Sequence, residues 1–141
     1  MGAADKISGG DGNDSLFGNG GSDTIYGGEG NDYLQGDAGT DVLSAQLGYD
    51  KMRGGADADT FLYDQSGFQQ DTIWDFVHNV DNILFHRSIF ANFAAVQAGI
   101  SQVGNHTYIN GGFGDLIVLA NFNAATLTSA DFTFLREVTK R

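Results

Sequence analysis

The sequence predicts an all-β protein, namely a right-handed parallel β-roll over residues 1–62, continued by a β-rich C-terminal cap with one short helix over residues 63–135. Two observations predict this architecture. The first 62 residues follow a nine-residue period that fixes the positions of an aspartate and of a large apolar residue. Beyond Leu62 the period stops, and nine of the 11 phenylalanines and the single tryptophan follow. Residues 136–141 are predicted to be a tail or a cloning remnant outside both regions.

The nine-residue period is regular at two of its places. The sixth place holds aspartate in all seven blocks: Asp5, Asp14, Asp23, Asp32, Asp41, Asp50 and Asp59. The eighth place holds a large apolar residue in all seven: Ile7, Leu16, Ile25, Leu34, Leu43, Met52 and Phe61. A disordered acidic segment would keep no such register, so the pattern favours a folded repeat over disorder.

Each block predicts one turn and one short strand. The glycine-rich places one to five suit a tight turn because glycine readily adopts positive φ angles. The polar–apolar–polar ending suits a strand with one side chain pointing inward. Two blocks then form one coil, so alternate blocks stack on each other. We expect Ile7, Ile25, Leu43 and Phe61 beneath one sheet, and Leu16, Leu34 and Met52 beneath the other.

The residues after Leu62 predict an ordinary hydrophobic core. Strands are expected at residues 71–76, 82–85, 108–110, 116–122 and 132–135. A helix is expected at residues 88–98, with Gly99 as its C-terminal stop. Such a region would close the open end of a solenoid, which needs a cap for solubility.

The charge distribution excludes several partners. Net charge is −11, and the segment from Ile7 to Asp50 contains eight carboxylates and no Lys or Arg. Such a segment repels phosphate, so nucleic acid and anionic membranes are not expected partners. No apolar stretch reaches the roughly 18 residues that a membrane helix needs. We therefore expect a monomer that does not insert into membranes.

The stacked aspartates predict a metal-binding role. Columns of carboxylates repel one another unless cations neutralise them, and calcium takes 6–8 oxygen ligands in a flexible shell. Glycine turns add carbonyl oxygens to such a shell. The candidate ligands are the seven sixth-place aspartates: Asp5, Asp14, Asp23, Asp32, Asp41, Asp50 and Asp59. Ions would lie between aspartates eighteen residues apart, which gives about 3–5 calcium ions. Asp64, Asp71 and Asp75 are candidate peripheral ligands.

Enzyme chemistry is not indicated by the sequence. The chain has no cysteine, and its three histidines, His78, His86 and His106, are far apart in sequence. We therefore expect these histidines to be surface or packing residues. The motifs H-E-x-x-H, G-x-S-x-G and Walker A are absent. The paired carboxylates lie in the repeat frame, where metal binding accounts for them, so the chain is predicted to be a non-catalytic module.

The blocks GGDGNDSLF and GGEGNDYLQ match the nonapeptide GGxGxDxUx, in which U is a large apolar residue. The repeat region therefore resembles the RTX (repeats-in-toxin) family. The resemblance implies a parallel β-roll with calcium in its turns, in proteins that bacteria export by type I secretion without a cleaved N-terminal signal. GGADADTFLY followed by DTIWDF is similar to the segment after the repeats in secreted proteases and alginate epimerases. Block six, AQLGYDKMR, and Asp57 in block seven depart from the nonapeptide.

The expected function is calcium-triggered folding outside the cell. The resemblance implies a module cut from a larger secreted protein, and Asp131–Leu135 resembles the acidic-then-apolar terminus that the type I exporter recognises. An alternative is calcium-dependent binding of an alginate-like polysaccharide. Phe17, Tyr26 and Tyr33 point outward in the predicted roll and would stack on sugars, although they would equally pack across neighbouring strands.

Overall fold

The computed structural model describes residues 2–112 and 114–135, and it shows a parallel β-solenoid of about four turns. The predicted tail at residues 136–141 lies outside the described residues. The strands are β1 (Lys6–Ser8), β2 (Ser15–Phe17), β3 (Thr24–Glu29), β4 (Tyr33–Asp37), β5 (Val42–Leu47), β6 (Asp50–Gly55), β7 (Thr60–Tyr63), β8 (Gln70–Ile73), β9 (Asn82–His86), β10 (Ile100–Val103), β11 (His106–Gly112), β12 (Asp115–Leu119) and β13 (Phe132–Leu135). The helix α1 spans Phe93–Ala98, and two 3-10 turns span Ala124–Thr126 and Ser129–Asp131.

The strands of the described residues form two sheets. The first sheet has the order β1-β3-β5-β7-β9-β13, and all its pairs are parallel. The second has the order β10-β11-β12-β8-β6-β4-β2. Its strands from β12 to β2 pair in parallel, while β10, β11 and β12 form an antiparallel meander. Alternate strands of the repeat therefore occupy opposite sheets, which confirms the prediction of two blocks per coil.

The inward-facing residues form the two predicted columns. The paired residues are Ile7, Ile25, Leu43 and Phe61 in the first sheet, and Leu16, Leu34 and Met52 in the second. All except Ile7 and Leu16 are fully buried. These two are only partly buried because they belong to the first coil, which has a neighbouring coil on one side only.

Both columns continue past residue 62. Ile83 and then Phe132 extend the row of Phe61, whereas Ile73 and then Leu119 extend the row of Met52. The cap therefore uses the same two sheets as the repeats, and β7 itself spans residue 62. The division into two regions at that residue stays a prediction.

The turns show which places of the nonapeptide need glycine. The second place has a φ between 70° and 96° in blocks two to seven: Gly10, Asn19, Gly28, Asp37, Gln46 and Gly55. The fourth place has a φ between 71° and 134° in the same blocks: Gly12, Gly21, Gly30, Gly39, Gly48 and Asp57. Gln46 and Asp57 thus adopt the left-handed conformation although glycine adopts it at lower cost. The backbone of the coil is preserved where the nonapeptide is not.

The helix is shorter than predicted. It begins at Phe93 because the side chain of Asn92, which has an extended backbone, accepts a hydrogen bond from the Ala95 N–H at 3.0 Å. Gly99 ends the helix as predicted. No helix in the described part of the chain is long and apolar enough to span a membrane.

Two strand predictions of the cap needed correction, and one strand was not predicted. The strand expected at residues 71–76 ends at Ile73, and the one expected at 116–122 ends at Leu119. The strand β10 was not predicted, because its sequence, ISQV, is exposed at three of four positions and lacks the alternation of a half-buried strand. The strands expected at 82–85 and 132–135 are confirmed.

Candidate metal centre

The seven sixth-place aspartates lie in two columns at the turns of the solenoid. The first column contains Asp5, Asp23, Asp41 and Asp59, and the second contains Asp14, Asp32 and Asp50. Along each column, the backbone N–H of one aspartate donates to the Oδ1 atom of the aspartate one coil later, at 2.7–2.9 Å. The predicted pairs eighteen residues apart are therefore neighbours in the structure.

The two oxygens of each repeat carboxylate have different surroundings. Oδ1 accepts the backbone hydrogen bond that joins neighbouring coils. Oδ2 is buried and has no hydrogen-bond partner in Asp14, Asp23, Asp32, Asp41, Asp50 and Asp59. Asp5, in the first coil, is exposed. A buried carboxylate oxygen without a partner is costly, so these atoms require a cation or a proton for compensation.

First-place glycines leave a gap beside the Oδ2 atoms of five repeat aspartates, Asp14, Asp23, Asp32, Asp41 and Asp59, whereas block six has alanine at this place. A Cβ atom on Gly9 would lie 2.6 Å from Asp14 Oδ2 and 2.7 Å from the carbonyl oxygen of Gly27. A Cβ atom on Gly18 would likewise lie 2.6 Å from Asp23 Oδ2 and 2.9 Å from the carbonyl oxygen of Gly36. A Cβ atom would therefore fill either gap, and each of these two gaps is lined by one carboxylate oxygen and one carbonyl oxygen of the next coil.

Burial also changes the acidity of the columns. Desolvation raises the pKa of Asp32 and Asp41, and repulsion from Asp14 and Asp23, respectively, adds to the effect. Burial raises the pKa of Asp59 to about 7, with further contributions from the Asp81, Asp41 and Asp75 carboxylates. The columns therefore favour bound protons or cations over free negative charge.

The donor set consists of oxygen atoms. Among the described residues, no three side chains of His, Cys, Asp or Glu converge on one point, so most ligands would be backbone carbonyls. The three histidines are engaged separately: His78 with Asp131, His86 with Ser88 and His106 with the Asn121 N–H. Carboxylate and carbonyl oxygens in a flexible loop are the ligands that calcium prefers.

The three candidate peripheral ligands differ in position. Asp64 is exposed at the turn after β7. Both oxygens of Asp75 accept backbone hydrogen bonds, from Gly54 at 2.8 Å and from Gly55 at 2.7 Å. Asp71 is fully buried, and its Oδ2 atom has no partner. Asp71 therefore shares the surroundings of the repeat aspartates, whereas Asp75 is fully satisfied by the backbone.

Three further buried carboxylates also bind backbone N–H groups with both oxygens. Asp81 accepts from Asp59 and Val77, and Asp115 accepts from Gly67 and Gln69. Asp131 accepts from Asn79, Thr128 and the His78 ring. These structural roles could not be predicted from the sequence, because each connects segments with no common period.

A parallel β-solenoid with buried carboxylate columns and oxygen-lined glycine gaps at its turns is a cation-binding β-roll. The family model of the RTX calcium-binding nonapeptide repeat (4 copies) matches residues 1–34 and again residues 35–65. The chain belongs to the RTX calcium-binding repeat family, whose repeats are a non-catalytic calcium-binding module. No curated protein matches the chain in sequence.

Solved structures share the same fold. The AlgE6R3 subunit of the mannuronan C5-epimerase from Azotobacter vinelandii is 30% identical, with a TM-score of 0.68 over 89% of this chain and 80% of that one. The AlgE6R2 subunit of the same enzyme is 26% identical, with a TM-score of 0.66 over 95% of each chain. The extracellular lipase LipA from Serratia marcescens is 20% identical, with a TM-score of 0.72. The match covers 89% of this chain but only 20% of the lipase.

Proposed function

We propose that the sixth-place aspartates hold about 3–5 calcium ions between successive coils and that calcium binding folds the chain. The observation that carries this proposal is the set of six repeat aspartates whose Oδ2 atoms are buried without a partner. Asp5 would contribute to the outermost site. Each interior aspartate serves two neighbouring gaps, so binding is expected to be cooperative along a column.

The chain is proposed to act as a folding module of a larger secreted protein. Cytosolic calcium is scarce, so the aspartate columns stay charged and the chain remains unfolded and ready for export. Extracellular calcium, in the range of roughly 0.1–1 mM that suits weak sites, then folds it. RTX repeats are characteristic of extracellular proteins exported by type I secretion, which supports this localisation.

The proposed secretion signal also fits a switch of this kind. Asp131 is buried and bonded to His78, Asn79 and Thr128, and β13 pairs with β9. An exporter that reads Asp131–Leu135 would therefore have to act on the unfolded chain. Folding after export would then hide the signal.

The test is a calcium titration followed by far-UV circular dichroism, starting in excess chelator. We expect a cooperative gain of β signal and a steep rise in melting temperature with calcium, and no such response to magnesium. Asp32→Asn should weaken the titration because Asp32 lies between two gaps of the second column. Asp11→Asn is the matched control, because it removes the same charge from an exposed residue at the third place of block two. A chain that is fully folded in chelator and indifferent to calcium would refute the proposal.

Polysaccharide binding is a second candidate, favoured by the outer face of the second sheet. Phe17 is 47% exposed and Trp74 is 40% exposed on this face. Lys51 and Arg53 are exposed on β6 between them, and neither forms an ion pair with a described residue. Aromatic rings next to unpaired cations suit an acidic sugar chain. The relatives that are subunits of a mannuronan C5-epimerase support this candidate.

The three outward-pointing aromatic residues of the repeats are divided between the two sheets. Tyr26 lies on the first sheet, under the Lys6 ammonium at 5.7 Å, whereas Phe17 and Tyr33 lie on the second. The rings of Phe17 and Tyr33 contact each other at 5.9 Å between centroids. These two residues therefore pack across neighbouring strands, as the alternative to sugar stacking predicts. Trp74 completes the second-sheet face and was not predicted.

Binding of mannuronan oligomers at fixed calcium concentration tests the second candidate. Lys51→Glu with Arg53→Glu should abolish binding because both charges face the same surface. Lys6→Glu with Arg87→Glu changes the net charge equally at sites away from this face and should leave binding intact. Equal losses in both double variants would indicate non-specific charge attraction and would contradict a site on this face.

A further inference from the structure

We propose that a polar groove in the C-terminal cap binds an uncharged saccharide. The groove lies between the β10–β11 turn and the loop that connects β12 to the 3-10 turn at Ala124–Thr126. Its volume is about 490 Å³, which lies within the usual range of small-molecule sites. The residues that line this cap groove are Gln102, Gly104, Asn105, Asn121, Phe122 and Asn123.

The cap groove is separate from the aspartate columns and from the outer face of the second sheet. Gln102 is the register partner of Thr107, and Thr107 is the partner of Leu119, which is fully buried beneath the second sheet. Gln102 therefore extends the inner face of that sheet, whereas Phe17 and Trp74 lie on its outer face. None of the repeat aspartates lines the cap groove. A ligand bound here would contact neither the aspartate columns nor the outer face.

The amide group of Gln102 joins the two sides of the cap groove. Its Nε2 atom donates to the carbonyl oxygen of Gly104, on the turn, at 3.1 Å and to that of Phe122, on the loop, at 3.2 Å. Its Oε1 atom accepts the Ala124 N–H at 2.7 Å. Both ends of the amide are engaged, so the width of the groove is fixed before a ligand arrives.

Two further side chains hold the loop in place. The hydroxyl of Thr107, a buried residue, donates to the Phe122 carbonyl oxygen at 2.7 Å. The Nδ1 atom of His106 accepts the Asn121 N–H at 3.0 Å. Asn121 has a φ of 53°, a left-handed conformation that asparagine adopts more readily than most residues. Because these contacts order the loop in advance, a ligand would bind with little further cost in conformational entropy.

Three asparagine amides at the rim of the cap groove can bind a ligand. Asn105, Asn121 and Asn123 are all exposed. The Oδ1 atom of Asn123 accepts the Ala125 N–H at 2.9 Å, whereas its Nδ2 atom and the amides of Asn105 and Asn121 form no hydrogen bond within the described chain. An amide offers two donors and one acceptor oxygen. Neighbouring hydroxyl groups, which both donate and accept, match this combination.

The composition of the cap groove favours an uncharged ligand. None of the six lining residues carries a charge, although the net charge of the chain is −11. An anion would find no cationic side chain in the groove and would be repelled by the chain as a whole, and a cation would find no carboxylate.

Phe122 supplies the apolar part of the cap groove. Its ring packs edge-on against Phe76 at 5.5 Å between centroids and remains partly exposed. An aromatic ring next to several amides suits a sugar ring, because a sugar ring has an apolar C–H face and a rim of hydroxyl groups.

The test is a nuclear magnetic resonance titration of the full ¹⁵N-labelled chain in saturating calcium. The probes are uncharged tetrasaccharides of glucose, mannose and galactose, with a mannuronan tetramer as the charged comparison. We expect at least one uncharged probe to shift the resonances of Asn105, Asn121 and Asn123, and we expect the shifts to persist at high salt. No shift with any uncharged probe would overturn the proposal. Shifts at these residues with the mannuronan probe alone would also overturn it, because they would indicate an acidic ligand.

Two variants with the same chemical change distinguish a site from a general effect of asparagine loss. Asn121→Gly keeps the positive φ, removes the amide and should weaken binding about five- to tenfold, as expected for the loss of a hydrogen bond. Asn79→Gly is the matched control, because Asn79 is exposed and has a φ of 65° in the turn before β9, outside the groove. Equal affinities in the two variants would contradict the proposal. Asn105→Ala, on the opposite side of the groove, should weaken binding to a similar extent and replaces Asn121→Gly if that variant does not fold.

Discussion

Acidification of the calcium-free protein should increase its folded fraction, which is the opposite of ordinary acid denaturation. Asp59 is the clearest contributor, because burial and the carboxylates of Asp81, Asp41 and Asp75 raise its pKa from 3.8 to about 7. Between these two values the folded chain binds more protons than the unfolded chain. The stabilisation that Asp59 contributes is therefore fully present below about pH 4 and is lost as the pH rises towards about 7.

The magnitude follows from proton linkage. One proton taken up by the folded state contributes about 1.4 kcal/mol per pH unit. Lowering the pH from 7 to 5 should then stabilise the fold by about 1–2 kcal/mol through Asp59 alone, after an allowance for solvent screening at the turn. Asp32 and Asp41 shift in the same direction and add to this effect.

The measurement is far-UV circular dichroism in chelator at pH 7, 6 and 5, with thermal melts at each pH. The β signal and the melting temperature should rise as the pH falls. Asp59→Asn should raise both at pH 7 and flatten their pH dependence, whereas Asp64→Asn, at an exposed position, should change neither. With saturating calcium the melting temperature should instead fall as the pH falls, because protons then compete with the metal. A calcium-free melting temperature that is flat or increases from pH 5 to pH 7 would refute the reasoning.

Two further predictions concern the turns. Gln46→Gly should stabilise the fold by about 1 kcal/mol, because Gln46 has a φ of 72° that glycine adopts without strain. Lys51→Gly, in an ordinary strand, should destabilise the fold. Urea denaturation in the presence of calcium measures both changes. Gly9→Ala should weaken calcium binding measured by calorimetry, because its methyl group would enter the gap between Asp14 Oδ2 and the Gly27 carbonyl. Ser8→Ala is the comparison, since Ser8 is exposed on β1 next to Gly9 and the change adds no atom to the gap. Equal affinities in these two variants would contradict the position of the gap.

The sequence predicts most of the repeat region because its information is local. An aspartate and an apolar residue at fixed places determine which residues stack, and the pairs Ile25–Leu43 and Asp23–Asp41 follow from counting by eighteen. The left-handed backbone at Gln46 and Asp57 shows that the coil imposes its geometry even where the nonapeptide is broken. Contacts with the preceding coil provide enough stabilisation to outweigh the local preference of one residue.

The cap could not be predicted to the same extent because its determinants are distant in sequence. Asp115 holds a turn that precedes it by 46 to 48 residues, and Asp131 holds one that precedes it by 52 to 53. Asp71 follows Asp50 in the second column, but the two are 21 residues apart instead of 18, so Asp71 lies outside the nine-residue frame. No periodic pattern contains such contacts, so the distinction between Asp71, with a free oxygen, and Asp75, with none, required the structure.

The unequal use of the two carboxylate oxygens explains why folding and metal binding should be one event. Oδ1 joins coils through the backbone, and this contact forms only when the next coil is in place. Formation of the contact buries Oδ2 and removes its hydration, which a lone coil would not do. Every added coil thus creates both a sheet contact and an unsatisfied oxygen. A cation in the adjacent gap satisfies that oxygen, so the solenoid should grow only as fast as cations bind.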